Sequence, residues 1–197
     1  LQITVKNEQR LQSILAGTNV GTWEWNIQTG QTVFNERWAN IAGYTLDELE
    51  PVSIETWKNL AHPDDLEKSS ELLQKHFNGE TEFYDVRARM RHKNGHWVWV
   101  RARGRLTSRT PSGEPLFIYG THEDITAQIE AQQALKDSEL QFRSLVNNLP
   151  GVTYRCRYDK HWTMLYMSNK VDPLSGYPAS DFIQNKVRSY DSVIHPD

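Results

Sequence analysis

The sequence predicts an α+β protein: two strands, several short helices and three more strands, followed by a long helix and the first half of a second, similar domain. Three observations predict it. Apolar and polar residues alternate with period two over residues 21–26, 31–34, 81–92, 96–109 and 115–122. Residues 124–149 contain neither Gly nor Pro and are bracketed by Gly120 and Pro150. A set of residues from the first quarter of the chain recurs in one register near its end.

The elements follow in order. Residues 7–16 form a short amphipathic helix with Leu11, Ile14 and Leu15 on one face. Gly21-Thr22-Trp23-Glu24-Trp25-Asn26 is a strand, Gln28-Thr29-Gly30 a turn, and residues 31–34 the returning strand. Asn35 caps a helix over 36–42 that Gly43 ends. Thr45 with Glu48 forms a capping box for a helix ending near Glu50-Pro51. Ile54, Trp57 and Leu60, three residues apart, mark another helical turn. His62-Pro63-Asp64-Asp65 opens a helix to about residue 77, because proline fits the first turn and the acids suit the positive end of the dipole. Three strands then run through turns at Lys93-Asn94-Gly95 and Pro111-Ser112-Gly113-Glu114.

The long stretch is rich in helix formers, such as Ala127, Glu130, Ala131, Ala134, Leu135 and Lys136. Its apolar residues Ile125, Ile129, Leu135, Phe142, Leu145, Val146 and Leu149 make one face greasy. Gln128 and Ser138 interrupt a strict heptad, and Ser138 with Gln141 could cap a fresh helix. One rod and two helices joined by a hinge both fit.

Composition bounds the function. The 197 residues carry a net charge of −3, which gives no basic field for nucleic acid. One cysteine, Cys156, excludes an intrachain disulfide and fits a reducing, cytoplasmic setting. No apolar run reaches the ~18 residues of a membrane span, and no signal peptide opens the chain. The chain begins at Leu1 and ends abruptly at His195-Pro196-Asp197, so it is expected to be a fragment of something longer.

The repeat is in register. Gly43-Tyr44 recurs as Gly176-Tyr177, Leu49 as Phe182, Ile54 as Val187, Trp57 as Tyr190 and His62-Pro63-Asp64 as His195-Pro196-Asp197, all displaced by 133 residues. Upstream, Leu11-Gln12-Ser13-Ile14-Leu15 echoes Phe142-Arg143-Ser144-Leu145-Val146, and Gly21 echoes Gly151. Duplication explains this many matches. The second copy lacks counterparts of the 63–77 helix and of the last three strands.

Trp23-Glu24-Trp25-Asn26, Phe34-Asn35, Gly43-Tyr44, His62-Pro63-Asp64-Asp65, Asn94-Gly95-His96-Trp97-Val98-Trp99-Val100 and Gly120-Thr121-His122-Glu123-Asp124-Ile125-Thr126 resemble a PAS domain with its C-terminal PAC part. The resemblance covers residues 8–126, and 139–197 resembles the first half of a second PAS domain. It implies a five-stranded antiparallel sheet with helices on one face. It further implies sensing or dimerisation in a bacterial signalling protein, ahead of a histidine kinase or diguanylate cyclase. The expected organisation is a PAS/PAC sensory domain at 8–126, a helical linker with coiled-coil character at 124–149, and an incomplete second PAS domain at 150–197.

A ligand would sit between sheet and helices, where Trp25, Phe34, Trp38, Ile41, Tyr44, Trp57, Val98 and Val100 are candidates. The competing reading is that these side chains fill a core. In residues 95–105, Val98, Val100, Ala102 and Gly104 are expected to face inward, and Trp97, Trp99, Arg101 and Arg103 outward. Two neighbouring exposed tryptophans invite cover, so Leu11, Leu15, Trp97 and Trp99 are candidates for a homodimer interface. Asp124, Ile125, Thr126 and Ile129 would carry a signal into the linker. A flavin–thiol adduct needs a cysteine on the helical side; the first copy has none, and Cys156 lies on a strand of the second. Haem would need His76, for which a solvated ring near the helix C-terminus is the plainer reading. His62, Asp64 and Asp65 read as capping groups rather than metal ligands, and no catalytic set is evident. The expected function is a non-catalytic sensory and dimerisation module. The alternatives are a ligand-independent platform with a filled core, or a sensor bearing haem or flavin.

Overall fold

A computed structural model of the chain describes residues 10, 13, 15 and 17–194. It divides into two compact units, the first ending at Glu130 and the second beginning at Ala131. Arg10, Ser13 and Leu15 are helical, while Leu11, Ile14 and the His195-Pro196-Asp197 arm of the repeat lie outside the described residues.

In the first unit, β1 (Gly21–Asn26) and β2 (Thr32–Phe34) precede α1 (Glu36–Ile41), α2 (Leu46–Leu49), α3 (Ile54–Leu60) and α4 (Pro63–Phe77). Then come β3 (Tyr84–Arg91), β4 (Trp97–Arg109) and β5 (Pro115–Asp124). The five strands form the one antiparallel sheet that the resemblance implies, in the order β2-β1-β5-β4-β3.

The helices start where their caps lie. The Asn35 side chain accepts from the Trp38 amide at 2.9 Å and from the Thr22 amide at 2.8 Å, so it starts α1 and ties it to β1. Thr45 and Glu48 close the capping box of α2. His62 Nδ1 accepts from the Asp64 amide at 3.3 Å at the head of α4. Alternation then sorts the strands. Val98, Val100 and Ala102 on β4, and Tyr84, Val86, Ala88 and Met90 on β3, are buried beneath the helices. Fully buried Trp38 stacks on Phe34 at 3.8 Å between centroids. Truncating such a ring costs about 3–5 kcal/mol.

The exposed edge of β3 is covered. Asp65 accepts from the Arg89 amide, Nε and Nη2 at 2.8, 2.8 and 2.9 Å, and the His62 amide donates to the Arg89 carbonyl at 2.9 Å. The outward amide and carbonyl of Arg89 are therefore occupied at the middle of this edge. Asp65 does more than cap a helix: its carboxyl is held below the usual carboxylate range by the Arg89 guanidinium.

Helix α5 (Thr126–Asn148) runs unbroken through Ser138, so the hinge reading is set aside. A long stretch of good helix formers outweighs one latent cap. Leu135, Leu140, Phe142 and Leu145 on it and Leu149 just after it are exposed, while Val146 on it and Ile125 just before it are buried.

The second unit holds the later part of α5, a hairpin of β6 (Tyr154–Cys156) and β7 (Met164–Met167), then α6 (Val171–Ser175), α7 (Ala179–Phe182) and a 3₁₀ turn at Tyr190–Val193. Met164, Met167, Val171 and Phe182 form its small core. Tyr154 on the hairpin remains 48% exposed.

Candidate ligand cavity

The site begins with a missing side chain. Trp23 on β1 pairs with Gly120 on β5, which pairs with Gly104 on β4, which pairs with Tyr84 on β3. All four face the helices, and the two glycines leave space for the indole to lie across the neighbouring strands. A Cβ at Gly104 would stand 2.5 Å from Trp23 Cη2, and one at Gly120 would stand 2.2 Å from Trp23 Cζ2. Trp25 extends the same face of β1, and Thr32 and Phe34 line it from β2. Helices α3 and α4 close the other side with Ile54, Trp57, Lys58, Leu66, Ser69, Ser70 and Leu73. Between them lies a cavity of about 100 Å³.

Its polar atoms are unusual. Trp23 Nε1, Trp25 Nε1, Thr32 Oγ1 and His122 Nδ1 are buried without a hydrogen-bond partner, and all four side chains belong to the cavity wall. An unsatisfied buried polar group costs about 1–3 kcal/mol, so four such atoms in one wall need an explanation. His122 is 4% exposed, and its ring sits 4.8 Å from Trp57, 5.7 Å from Trp38 and 6.1 Å from Trp23. Burial pushes its pKa down to about 3, so the imidazole is neutral. Tyr84, which shares a 2.8 Å hydrogen bond with Ser69, is pushed up to about 12 by burial. The site therefore carries no ionised group at its base.

Of the eight residues expected here, Trp25, Phe34 and Trp57 line the cavity. The other five do not line it. Trp38, Ile41, Val98 and Val100 pack into a filled core with Met90, and Tyr44 packs against them, with the Lys93 ammonium 5.7 Å from its ring centroid. Helix α1 packs on this part of the sheet through Trp38 and Ile41. Sequence reasoning missed Trp23, Thr32, Tyr84 and His122 as wall residues. Trp23 shares the alternation of Trp25 and was legible; His122 was read only as part of a motif.

His76 is also corrected. It is 6% exposed rather than solvated. Its Nε2 accepts from the Leu106 amide at 2.9 Å, which makes Nδ1 the donor to the Thr81 carbonyl, also at 2.9 Å. Nε2 ties α4 to β4 and Nδ1 ties it to the loop before β3, so neither nitrogen is free for an axial ligand. Among the described residues, no group of three or more His, Cys, Asp or Glu could hold a metal ion.

On the outer face, each expected interface tryptophan is half-buried beneath an arginine. Arg91 lies 5.3 Å from the Trp97 ring centroid and Arg89 lies 5.4 Å from that of Trp99. Leu15 is half-buried.

The expected linker residues meet β4. Trp99 lies past the last pairing of β5, Asp124 with Val100. Its amide donates to Thr126 Oγ1, and its carbonyl accepts from the Ile125 amide, both at 2.9 Å. Asp124 Oδ1 accepts from the Thr126 amide at 3.0 Å, Ile125 is buried, and the Ile129 amide donates to the Ile125 carbonyl. The head of α5 is thus fastened to the strand whose inner face carries the core.

Comparison with known proteins agrees with this architecture. The PAS fold family matches residues 31–122. The crystal structure of a sensory box histidine kinase/response regulator from Burkholderia thailandensis superposes with a TM-score of 0.59 at 30% identity, over 68% of this chain and 98% of that one. The two-component sensor PprA of Pseudomonas aeruginosa is 28% identical over 180 residues, 86% of this chain and 18% of PprA. The probable diguanylate cyclase DgcE of Escherichia coli is 28% identical over 138 residues, 70% of this chain and 11% of DgcE. The chain therefore spans less than a fifth of either curated relative, and it is homologous to segments of signalling sensors. By its sheet order and by these matches, the chain belongs to the PAS-fold family.

Proposed function

We propose that the first unit is a sensory module that takes a small molecule in the cavity and passes its occupancy through the head of α5 to an output domain of the full-length protein. A histidine kinase or a diguanylate cyclase is the output domain of this reading. The observation that carries it is the cavity of about 100 Å³ between the sheet and helices α3 and α4. A route is available: His122 and Asp124 share strand β5, and Ile125 and Thr126 are fastened to Trp99. A ligand shifts α5 only if it binds one arrangement of this joint better than the other. The module itself does no chemistry in this reading.

Homodimerisation through the outer sheet face and the N-terminal helix belongs to the same proposal, as does a cytoplasmic setting. Among the described residues, no helix is long and apolar enough to cross a membrane. Residues 150–197 are the first half of a second PAS domain in this reading. The repeated residues and the shared order of two strands followed by short helices support it.

The test compares native and denatured masses of the purified full chain. An extra non-covalent mass is expected, and Leu73→Trp, which fills the cavity, should abolish it. Amide exchange at 125–129 should change between loaded and emptied protein. Equal masses, with Leu73→Trp indistinguishable from the parent in exchange, would favour the filled platform instead.

A further inference from the structure

We propose that the outer face of strands β3 and β4 docks a short acidic segment of a partner protein, whatever the cavity holds. Alternation turns Val86, Ala88, Val100 and Ala102 toward the helices. It turns Arg87, Arg89 and Arg91 of β3 and Arg101, Arg103 and Arg105 of β4 the other way. Six arginines share this face, and neither strand contains a lysine. The carboxylates beside them are Asp85 on β3, Glu123 on β5 and Glu24 on β1. Positive charge is thus gathered on one face of a chain whose net charge is −3.

The arrangement works against stability. Arg87 stands directly opposite Arg101, and like charges opposite one another in a sheet repel. Asp85 relieves part of this, with Arg101 at 2.5 Å and Arg103 at 3.9 Å. Among the described residues, Arg87, Arg91 and Arg105 have no carboxylate within ion-pair distance. Protection of the β3 edge does not explain the choice of side chain, because lysine serves there. Arginine differs in offering a planar fork that grips a carboxylate with two N–H groups.

The forks are held ready. Arg103 and Arg105 lie 4.1 and 5.7 Å from the Phe83 ring centroid, and Arg91 and Arg89 stack on Trp97 and Trp99. Stacking on a ring fixes the plane of a guanidinium and leaves its N–H edge able to donate. The chain itself shows the grip: Arg89 holds Asp65 and Arg101 holds Asp85, each through Nε and Nη2. Arg87, Arg103 and Arg105 are exposed and close no such clasp within the described residues.

Spacing and extent select the partner. Arg101, Arg103 and Arg105 recur about every 7 Å along β4, and carboxylates on alternate residues of an extended segment have the same repeat. A second copy laid block against block would set arginine against arginine. The tryptophans assigned to the dimer contact lie at the other end of this stretch of β4. From Arg101 to Arg105 the block is roughly 14 Å long, with Glu123 and Glu24 on the strands beside it. A duplex or a membrane surface extends further than that and would meet those carboxylates, whereas a short acidic segment would not.

The experiment uses the full chain and a fluorescein-labelled peptide of alternating Glu and Ser, read by anisotropy. The peptide should bind at low salt and weaken as salt rises, and its Lys–Ser counterpart should not bind. Arg103→Glu/Arg105→Glu should weaken it by about tenfold, and Lys68→Glu/Lys75→Glu, the same charge change on α4, should leave it unchanged. Arg103→Lys/Arg105→Lys keeps the charge and loses the fork, and should cost about threefold. Near-ultraviolet circular dichroism checks that each variant is folded, and Arg103→Gln/Arg105→Gln, with an expected loss of about fivefold, replaces the reversed pair if that pair is not. Absence of binding at low salt, full affinity in the reversed pair, or an equal loss in the α4 control would overturn the site. Full affinity in the lysine pair would overturn the carboxylate clasp in favour of diffuse charge. A single-stranded oligonucleotide or an anionic phosphatidylserine vesicle that binds more tightly than the peptide, and is lost in the reversed pair, would overturn the partner class.

Discussion

Gly104→Ala should destabilise the first unit through one side chain. The new methyl would lie 2.5 Å from Trp23 Cη2 and 2.8 Å from Cζ2, whereas its nearest backbone neighbour, the Tyr119 carbonyl, is 3.1 Å away. The backbone can yield by a few tenths of an ångström; the indole cannot, because it is wedged among Gly120, Tyr84 and His122. Overpacking of this kind costs about 1–3 kcal/mol. For a unit of roughly 110 residues that is about 4–12 °C in Tm. Trp23→Phe deletes the two offending atoms, so in the double variant the methyl should cost almost nothing. The coupling energy should be about 1–2 kcal/mol in favour of the pair. Gly120→Ala should not be rescued in this way, because its methyl also meets the Arg103 carbonyl at 2.4 Å. Near-ultraviolet circular dichroism reads the first unit well, since six of the seven tryptophans lie before Glu130. Additive losses in the Gly104–Trp23 pair, or equal rescue at Gly104 and Gly120, would refute the argument.

Three further outcomes are expected. Asp65→Asn should lower stability at neutral pH by about 2 kcal/mol in urea, because three bonds to Arg89 depend on the carboxylate. Since the Asp65 pKa is depressed, its contribution is present above about pH 4 and is lost as pH falls through the folded value, so the gap should close in acid. A gap that persists at pH 2 would count against it. His122 is buried neutral with its pKa lowered from 6.5 to about 3, so the unfolded chain takes up a proton first as pH falls. Stability should then decline below pH 6.5 by up to about 1.4 kcal/mol per pH unit, and His122→Phe should flatten that slope; an unchanged slope in the variant would exclude His122 as its cause. Trp97→Glu/Trp99→Glu should yield a smaller, still folded species by light scattering, and either a monomeric parent or an unchanged dimer would remove the outer face as the interface.

Much of the fold was legible because its determinants are local. Alternation placed Val98, Val100 and Ala102 inward; Asn35, Thr45 and His62 marked helix starts; glycine-containing turns separated the strands. Each signal depends on residues a few positions apart, which the chain order itself supplies. The cavity depends on residues that only folding brings together. Aromatic content said that a pocket or a core was available; it could not say that α1 would fill one half of the sheet face and leave the other open. The Trp23 indole needs two glycines, 81 and 97 residues away in sequence, before it can lie flat.

The same limit governs the individual side chains. His76 looked solvated because it stands near a helix C-terminus beside Lys75, yet Thr81 and Leu106 enclose both ring nitrogens. Asp65 looked like a first-turn acid, and β3 supplied the arginine that turned it into an edge clasp. The Ser138–Gln141 capping box was a real local signal, overridden by the helix on either side of it. By itself the sequence determined the elements, their order and the face each strand turns inward, because period and capping act over a few residues. The tertiary structure alone decided which aromatic residues fill the core and which surround a cavity. It also decided which polar atoms are left without a partner, because burial and hydrogen bonding are settled by groups that are distant in the chain.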